Sequence, residues 1–291
     1  MRYLVAVADA GQLTEAARRL GVAQPTLSQA ISQLEDQLGV MLVERQSRGI
    51  RLTDAGAAFV ARARRVLLAA DEAVDGVRAM KRADSQELLI GRDGLQPNGW
   101  SPLFQRLHRE WPDATIEWAK LEFPVRGRSP LQHTDIALLT EPPPHPGLSE
   151  LVLARQTRVA ILSAGHRLAA LPSVPVGDLL DEVYVGCDPS MDPAWLAFWT
   201  LEHERGGPTR MSEDRANTVE AAIEAVASGQ AFATAPAPLA SALAHPGVVA
   251  VPLIGAQPAE VKLVWETRSE NPIVKALAAL ARQTEGADDE S

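Results

Sequence analysis

Six amide and hydroxyl side chains fall within ten residues of one another: Gln24, Thr26, Ser28, Gln29, Ser32 and Gln33. Each can donate and accept hydrogen bonds without burying an unpaired charge. Base edges and phosphate oxygens ask that chemistry of a protein surface. A helix face exposed only to water more often carries Glu and Lys. Further on, Arg45, Arg48 and Arg51 flank a small turn, Ser47-Arg48-Gly49. Guanidinium groups there suit backbone phosphates or a narrow A·T-rich minor groove. Alone, that stretch reads as a solvated basic loop; beside the amides and hydroxyls it reads as duplex contact.

The elements that must hold these groups are legible from spacing. Leu13, Ala16, Ala17 and Leu20 share one helical face, and Gly21 follows, where a left-handed turn stops the helix. A second helix begins near Gln24-Pro25, proline being tolerated in a first turn, and buries Leu27, Ile31, Leu34 and Leu38. Small Ala16 and Ala17 let the two helices cross closely, as in a helix-turn-helix. The polar groups then lie opposite the buried stripe, and the free N–H groups at the second helix's start offer an anion site. Two β-prone runs around Ser47-Arg48-Gly49 form a wing.

Residues 54–82 form one helical pattern without proline. Phe59, Ala63, Val66, Ala70, Ala73, Val77 and Met80 recur at alternating intervals of four and three, a heptad seam flanked by charges. Such a seam serves dimerisation with a second copy, so that two heads meet a two-fold operator. The plainer alternative is a long helix lying on its own domain.

From residue 86 the pattern becomes short apolar runs alternating with amphipathic helices. Strands are expected at 88–91, 115–121, 134–139, 159–162, 183–185, 231–234, 248–253 and 261–265, with helices from Ser101 and near 194–204, 218–228, 238–244 and 272–284. That order predicts two α/β lobes, about 86–155 with 254–285 and about 156–253. Ligands in such folds sit between lobes near helix N-termini. Candidate effector-binding residues are Arg92, Asp93, Trp100, Ser101, Ser129, Ser163, Asp188 and Thr218, each of which has a plain reading as a cap, turn or core residue. Trp195 and Trp199 read as core.

Composition bounds the rest. The 291 residues carry a net charge of −9, unevenly placed. Residues 1–82 hold 12 Lys/Arg against 9 Asp/Glu (+3), and residues 83–291 hold 16 against 28 (−12). Local sign governs phosphate attraction. The single cysteine, Cys187, excludes an internal disulfide and fits a reducing cytoplasm; no apolar run is long enough to span a membrane. There is no G-x-S-x-G, P-loop or G-x-G-x-x-G, and no His/Cys pairing at metal spacing. The residues therefore imply no catalytic centre, cofactor or metal. A bare solute-binding protein would leave residues 1–82 without a use.

The run from Arg2 to about Ala70 resembles the DNA-binding domain of the LysR-type transcriptional regulators. The matching residues are Leu13-Thr14-Glu15-Ala16-Ala17, Leu20, Ala23-Gln24-Pro25-Thr26-Leu27-Ser28, Ile31, Leu34-Glu35, Leu38-Gly39, Leu42, Glu44-Arg45 and Leu52-Thr53-Asp54-Ala55-Gly56. Val226-Ala227-Ser228-Gly229, Ala231 to Pro236, and Ser163 to Ala169 resemble the family's effector domain. The resemblance implies an α+β chain: a winged helix-turn-helix (1–53), a linker helix (54–82) and a two-lobed α/β effector domain of periplasmic-binding-protein type (86–291). It further implies base or phosphate contact by Gln24, Pro25, Thr26, Ser28 and Gln29, and phosphate contact by Arg45, Arg48 and Arg51. Implied partners are double-stranded DNA bearing an inverted repeat, a small-molecule effector, a second copy of the chain (dimer, then tetramer) and RNA polymerase. Two residues depart from the family pattern. Gln12 stands where a small hydroxyl usually caps the helix, and Gln29 stands where arginine is common, which alters base preference.

Overall fold

A computed structural model describes residues 1–46, 49–84, 86–94, 101–188, 190–213, 215–216, 218–242 and 245–288. It divides into two compact units, Met1–Asp75 and Gly76–Ser291.

The first unit runs α1 (Arg2–Ala10), α2 (Leu13–Leu20), α3 (Gln24–Leu38), β1 (Val43–Gln46), β2 (Gly49–Leu52) and the start of α4 (Asp54–Asp84). Its core joins Leu4 and Val7 of α1, Ala16 and Ala17 of α2, Leu27 and Ile31 of α3, then Leu42, Val43 and Val60. Gly21 ends α2 at φ 65°, the conformation that the sharp turn demands. Strands β1 and β2 pair antiparallel as the expected wing.

Gly56 makes the closest approach in this unit. A Cβ there would lie 1.9 Å from the Leu42 carbonyl oxygen, so the first turn of α4 can pass the backbone just before β1 only as glycine. Thr53 fixes that passage: its hydroxyl donates to the Met41 carbonyl and accepts the Gly56 N–H, capping α4.

The second unit holds two sheets. The first has the order β4-β3-β5-β11-β6, from β3 (Glu87–Arg92), β4 (Thr115–Lys120), β5 (Ile136–Thr140), β6 (Leu148–Gln156) and β11 (Ala259–Glu266). Strands β3, β4 and β5 are parallel, while β11 runs antiparallel to β5 and β6. Helices α5 (Ser101–Glu110) and α10 (Pro272–Asp288) pack against its core of Leu88, Ile90, Leu107, Ile136 and Leu277.

The second sheet has the order β8-β10-β7-β9, from β7 (Arg158–Ser163), β8 (Val174–Pro175), β9 (Ala233–Pro236) and β10 (Val248–Ile254). Its core includes Ile161, Leu162, Trp195, Trp199, Val226 and Phe232, drawn partly from α6 (Pro193–Trp199) and α8 (Val219–Ala227); the short α7 (Glu202–Arg205) adds none of these. Helix α9 (Ala237–Ala242) follows β9. The chain crosses between lobes at Thr157 and returns through 255–258.

Three local expectations change. The segment 148–156, outside the expected elements, is a nine-residue strand. Tyr184 makes only isolated bridges, not a strand. The helix expected over 194–204 is two helices, parted at Leu201, whose φ is 63°. The short segment 124–133 contains no helix.

Candidate nucleic-acid interface and effector cleft

Helix α3 presents the polar face expected of it. Leu27, Ile31 and Glu35 are buried, while Gln24, Pro25, Thr26, Gln29, Ser32 and Gln33 are exposed and Ser28 is half-buried. No side chain caps the helix start, which follows Ala23, so the first-turn N–H groups remain available to an anion. Gln12 likewise gives α2 no side-chain cap. A hollow of about 520 Å³ lies between α3 and the wing, bordered by Ser28, Ser32, Glu44 and Thr53.

Of the three wing arginines, Arg51 is exposed and bonded to Glu44 at 2.9 Å, which raises its guanidinium pKa further. The side chain of Arg45 and the whole of Arg48 lie outside the described residues. Arg18 and Arg19 on α2 both bond Glu15, holding its carboxyl down at about 2.

Sequence reading missed what anchors this face. Glu35, only 8% exposed, lies on the buried side of α3. Its Oε1 accepts the Leu42 N–H at 2.7 Å and the Val43 N–H at 3.1 Å. One carboxylate thus satisfies two buried donors where the chain turns from α3 into the wing.

Two of the seven residues expected in a seam along α4 pack into the first unit instead. Ala63 is 2% exposed and Phe59 packs against the helix-turn-helix core, because the first turns of α4 form one wall of that unit. Ala70 and Ala73 are exposed, as are the larger Val66, Val77 and Met80. At its C-terminal end, Arg82 clasps Asp135 through two 2.7 Å bonds, and Asp135 also accepts the Leu89 N–H at 2.8 Å. With Asp135 2% exposed, this pair ties the end of α4 to the five-stranded lobe.

The cleft candidates separate. Arg92 lies 5.8 Å from the Trp118 ring centroid, and the neighbouring Asp93 is buried with its carboxylate accepting the Thr140 N–H. Trp100 and the side chain of Ser101 lie outside the described residues, as does Asn217. Thr218 caps α8, accepting the Ala221 N–H. Lys120, at the end of β4, brings these two regions together: its ammonium lies 3.3 Å from Glu220 in the first turn of α8. The lobes also meet where Arg126 donates to the Ser190 carbonyl and Asp192 donates to that of Pro124.

Asp188 and Ser129 accept N–H groups two residues on, from Ser190 and Leu131, and thus shape turns. Ser163 does not join the group. Strand β7 leaves the lobe crossing at Arg158, so Ser163 stands at its far end, roughly 17 Å away by strand rise. There it neighbours Gly229. Burial pushes the Cys187 thiol up to about 11, with Asp188 adding to the rise, which keeps it protonated at neutral pH. Trp195 and Trp199 are core.

Residues 1–57 match the bacterial regulatory helix-turn-helix family of lysR type, and residues 83–285 match the LysR substrate binding domain. The chain belongs to the LysR family of transcriptional regulators. It is a regulator with a DNA-binding helix-turn-helix and an effector-binding domain, and not an enzyme. The regulator is 32% identical to the HTH-type transcriptional regulator TfdS of Cupriavidus pinatubonensis over 98% of both chains. It is 28% identical to XapR of Escherichia coli over 97% of this chain and 96% of that one. In fold it is similar to full-length BenM (TM-score 0.54, 24% identity, 99% of this chain and 96% of that one). It is also similar to full-length CbnR complexed with its target DNA (TM-score 0.51, 24% identity, 97% of each chain). Among the described residues, no helix is long and apolar enough to cross a membrane, and no cluster of His, Cys, Asp and Glu could hold a metal.

Proposed function

We propose that this regulator acts in the cytoplasm as a dimer of dimers on an inverted-repeat operator, with α3 in successive major grooves. The observation that carries this reading is the uncapped start of α3, bordered by exposed Gln24, Thr26 and Gln29. Gln24, Pro25, Thr26, Ser28 and Gln29 make base or phosphate contacts; Arg45, Arg48 and Arg51 neutralise backbone. Val66, Ala70, Ala73, Val77 and Met80 pair with a second copy, leaving Phe59 and Ala63 to the head's own core.

A small-molecule effector enters between the lobes beside Arg92, Trp100, Ser101 and the capped start of α8. It favours one lobe arrangement and so resets operator bend and access by RNA polymerase. The Arg82–Asp135 clasp supports this reading, since it joins the sensor to the helix leading to the head.

Salt dependence of operator binding tests the interface. Each phosphate contact contributes about −0.9 to the slope of log K against log salt, so Arg51→Ala flattens the slope by roughly 0.9 for each head bound to DNA. An unaltered slope removes Arg51 from the interface.

A further inference from the structure

Where the two lobes meet beside the return crossing, a hollow of about 420 Å³ opens, within the size range of small-molecule sites. Its walls come from both lobes: Glu141 and Pro142 after β5, Trp195 and Phe198 on α6, His203 on α7, and Pro258 in the crossing itself.

Three acidic residues border or adjoin this space, and two have cations. Glu260 bonds Arg155 at 3.0 Å, with Lys262 3.5 Å away, and Glu204 pairs with Arg158 at 3.3 Å. Glu141 forms no ion pair within the described residues; its Oε1 accepts only the Glu260 N–H, at 2.6 Å. Its backbone is held at φ 51°, a conformation that non-glycine residues adopt rarely and that recurs at ligand clamps. Burial shifts its carboxyl above the usual range, outweighing the Glu260 N–H and the more distant charges of Lys262 and Arg158, which pull it down. Beside it stand the rings of Trp195 and Phe198, apolar surface for an organic body; the Arg158 guanidinium already lies 4.2 Å from the Phe198 centroid.

We propose that this hollow binds a small organic ammonium ion, its charge set against Glu141 and its apolar body against Trp195 and Phe198. Its lining includes neither Arg92 nor any residue of α8. Because its occupant touches both lobes and the return crossing, it biases the angle between them.

Calorimetric titration of the full-length protein with benzylamine, benzyl alcohol and benzoate tests this. Benzylamine binds about tenfold more tightly than benzyl alcohol, the scale of one charge-assisted hydrogen bond, and benzoate does not bind. Glu141→Gln keeps the acceptor for the Glu260 N–H yet removes the tenfold preference. Ala194→Leu, at an exposed position on the wall, fills the hollow and abolishes binding with the carboxylate intact. Equal affinity for amine and alcohol, no heat with any probe, or unchanged amine binding in both variants overturns the proposal.

Discussion

Replacing Glu35 by alanine should unfold the DNA-binding unit well before the sensor. The substitution leaves the Leu42 and Val43 N–H groups buried without an acceptor. Each orphaned buried donor costs about 1–3 kcal/mol, so the pair costs about 2–6 kcal/mol, and the small cavity left behind adds to this. For a unit of this size that lowers its melting temperature by about 8 °C at the least. Glu35→Gln retains an acceptor oxygen and should lose roughly half as much, a difference that separates hydrogen bonding from charge. Thermal unfolding of the full-length protein measures the loss. Hydrogen–deuterium exchange of a peptide spanning residues 40–46 locates it. A Glu35→Ala loss under 0.5 kcal/mol, or unchanged exchange there, would refute the reasoning.

Gly56→Ala tests the close passage at Leu42: helix propensity alone predicts a gain of about 1 kcal/mol, whereas the steric clash predicts a loss of about 3 kcal/mol in chemical denaturation. Arg82→Met strands the buried Asp135 carboxylate and should cost about 3–5 kcal/mol in the sensor unit, a loss that Asp135→Asn in the same chain partly restores. Lys120→Ala removes an exposed ion pair, so stability changes by less than about 1 kcal/mol, while the response of operator affinity to effector shifts; unchanged response would exclude the pair from lobe coupling. Glu141 titrates above the usual carboxylate value of 4.5 in the folded state, so that state holds the proton more tightly. Stability from this group therefore falls as pH rises from 4.5 through the raised value. Lys262, Glu260 and Arg158 act on the same group. Glu141→Gln should thus unfold no earlier than wild type at pH 7, with any advantage fading on acidification, and the opposite trend in pH-dependent melting would contradict the assignment.

The head was legible because its determinants are local. Leu13, Ala16, Ala17 and Leu20 repeat at helical spacing, and Gly21 ends their helix in the left-handed turn it was read for. Strand β6 escaped because Leu148 to Gln156 is half-buried over most of its length, so neither alternation nor a solid apolar run marks it. Glu35 was visible as a family match, but its partners lie seven and eight residues away, across a turn that spacing cannot resolve. Arg158 reads in sequence as a polar border before Val159-Ala160-Ile161-Leu162. In the fold it is fully buried, donating to the Phe198 carbonyl at 2.7 Å, an arrangement set by residues forty positions on. Phe59 and Ala63 fitted a heptad and also a helix packed on its own domain; spacing alone does not separate those outcomes.

The most direct test of the account is selection of duplexes from a random pool by the full-length protein, run beside Gln29→Arg. The wild type should enrich an inverted repeat, and the variant should change the preferred base at the same position in both halves, toward guanine as arginine's bidentate geometry favours. No enrichment, or an identical repeat for both proteins, would contradict the claim that the exposed face of α3 reads DNA.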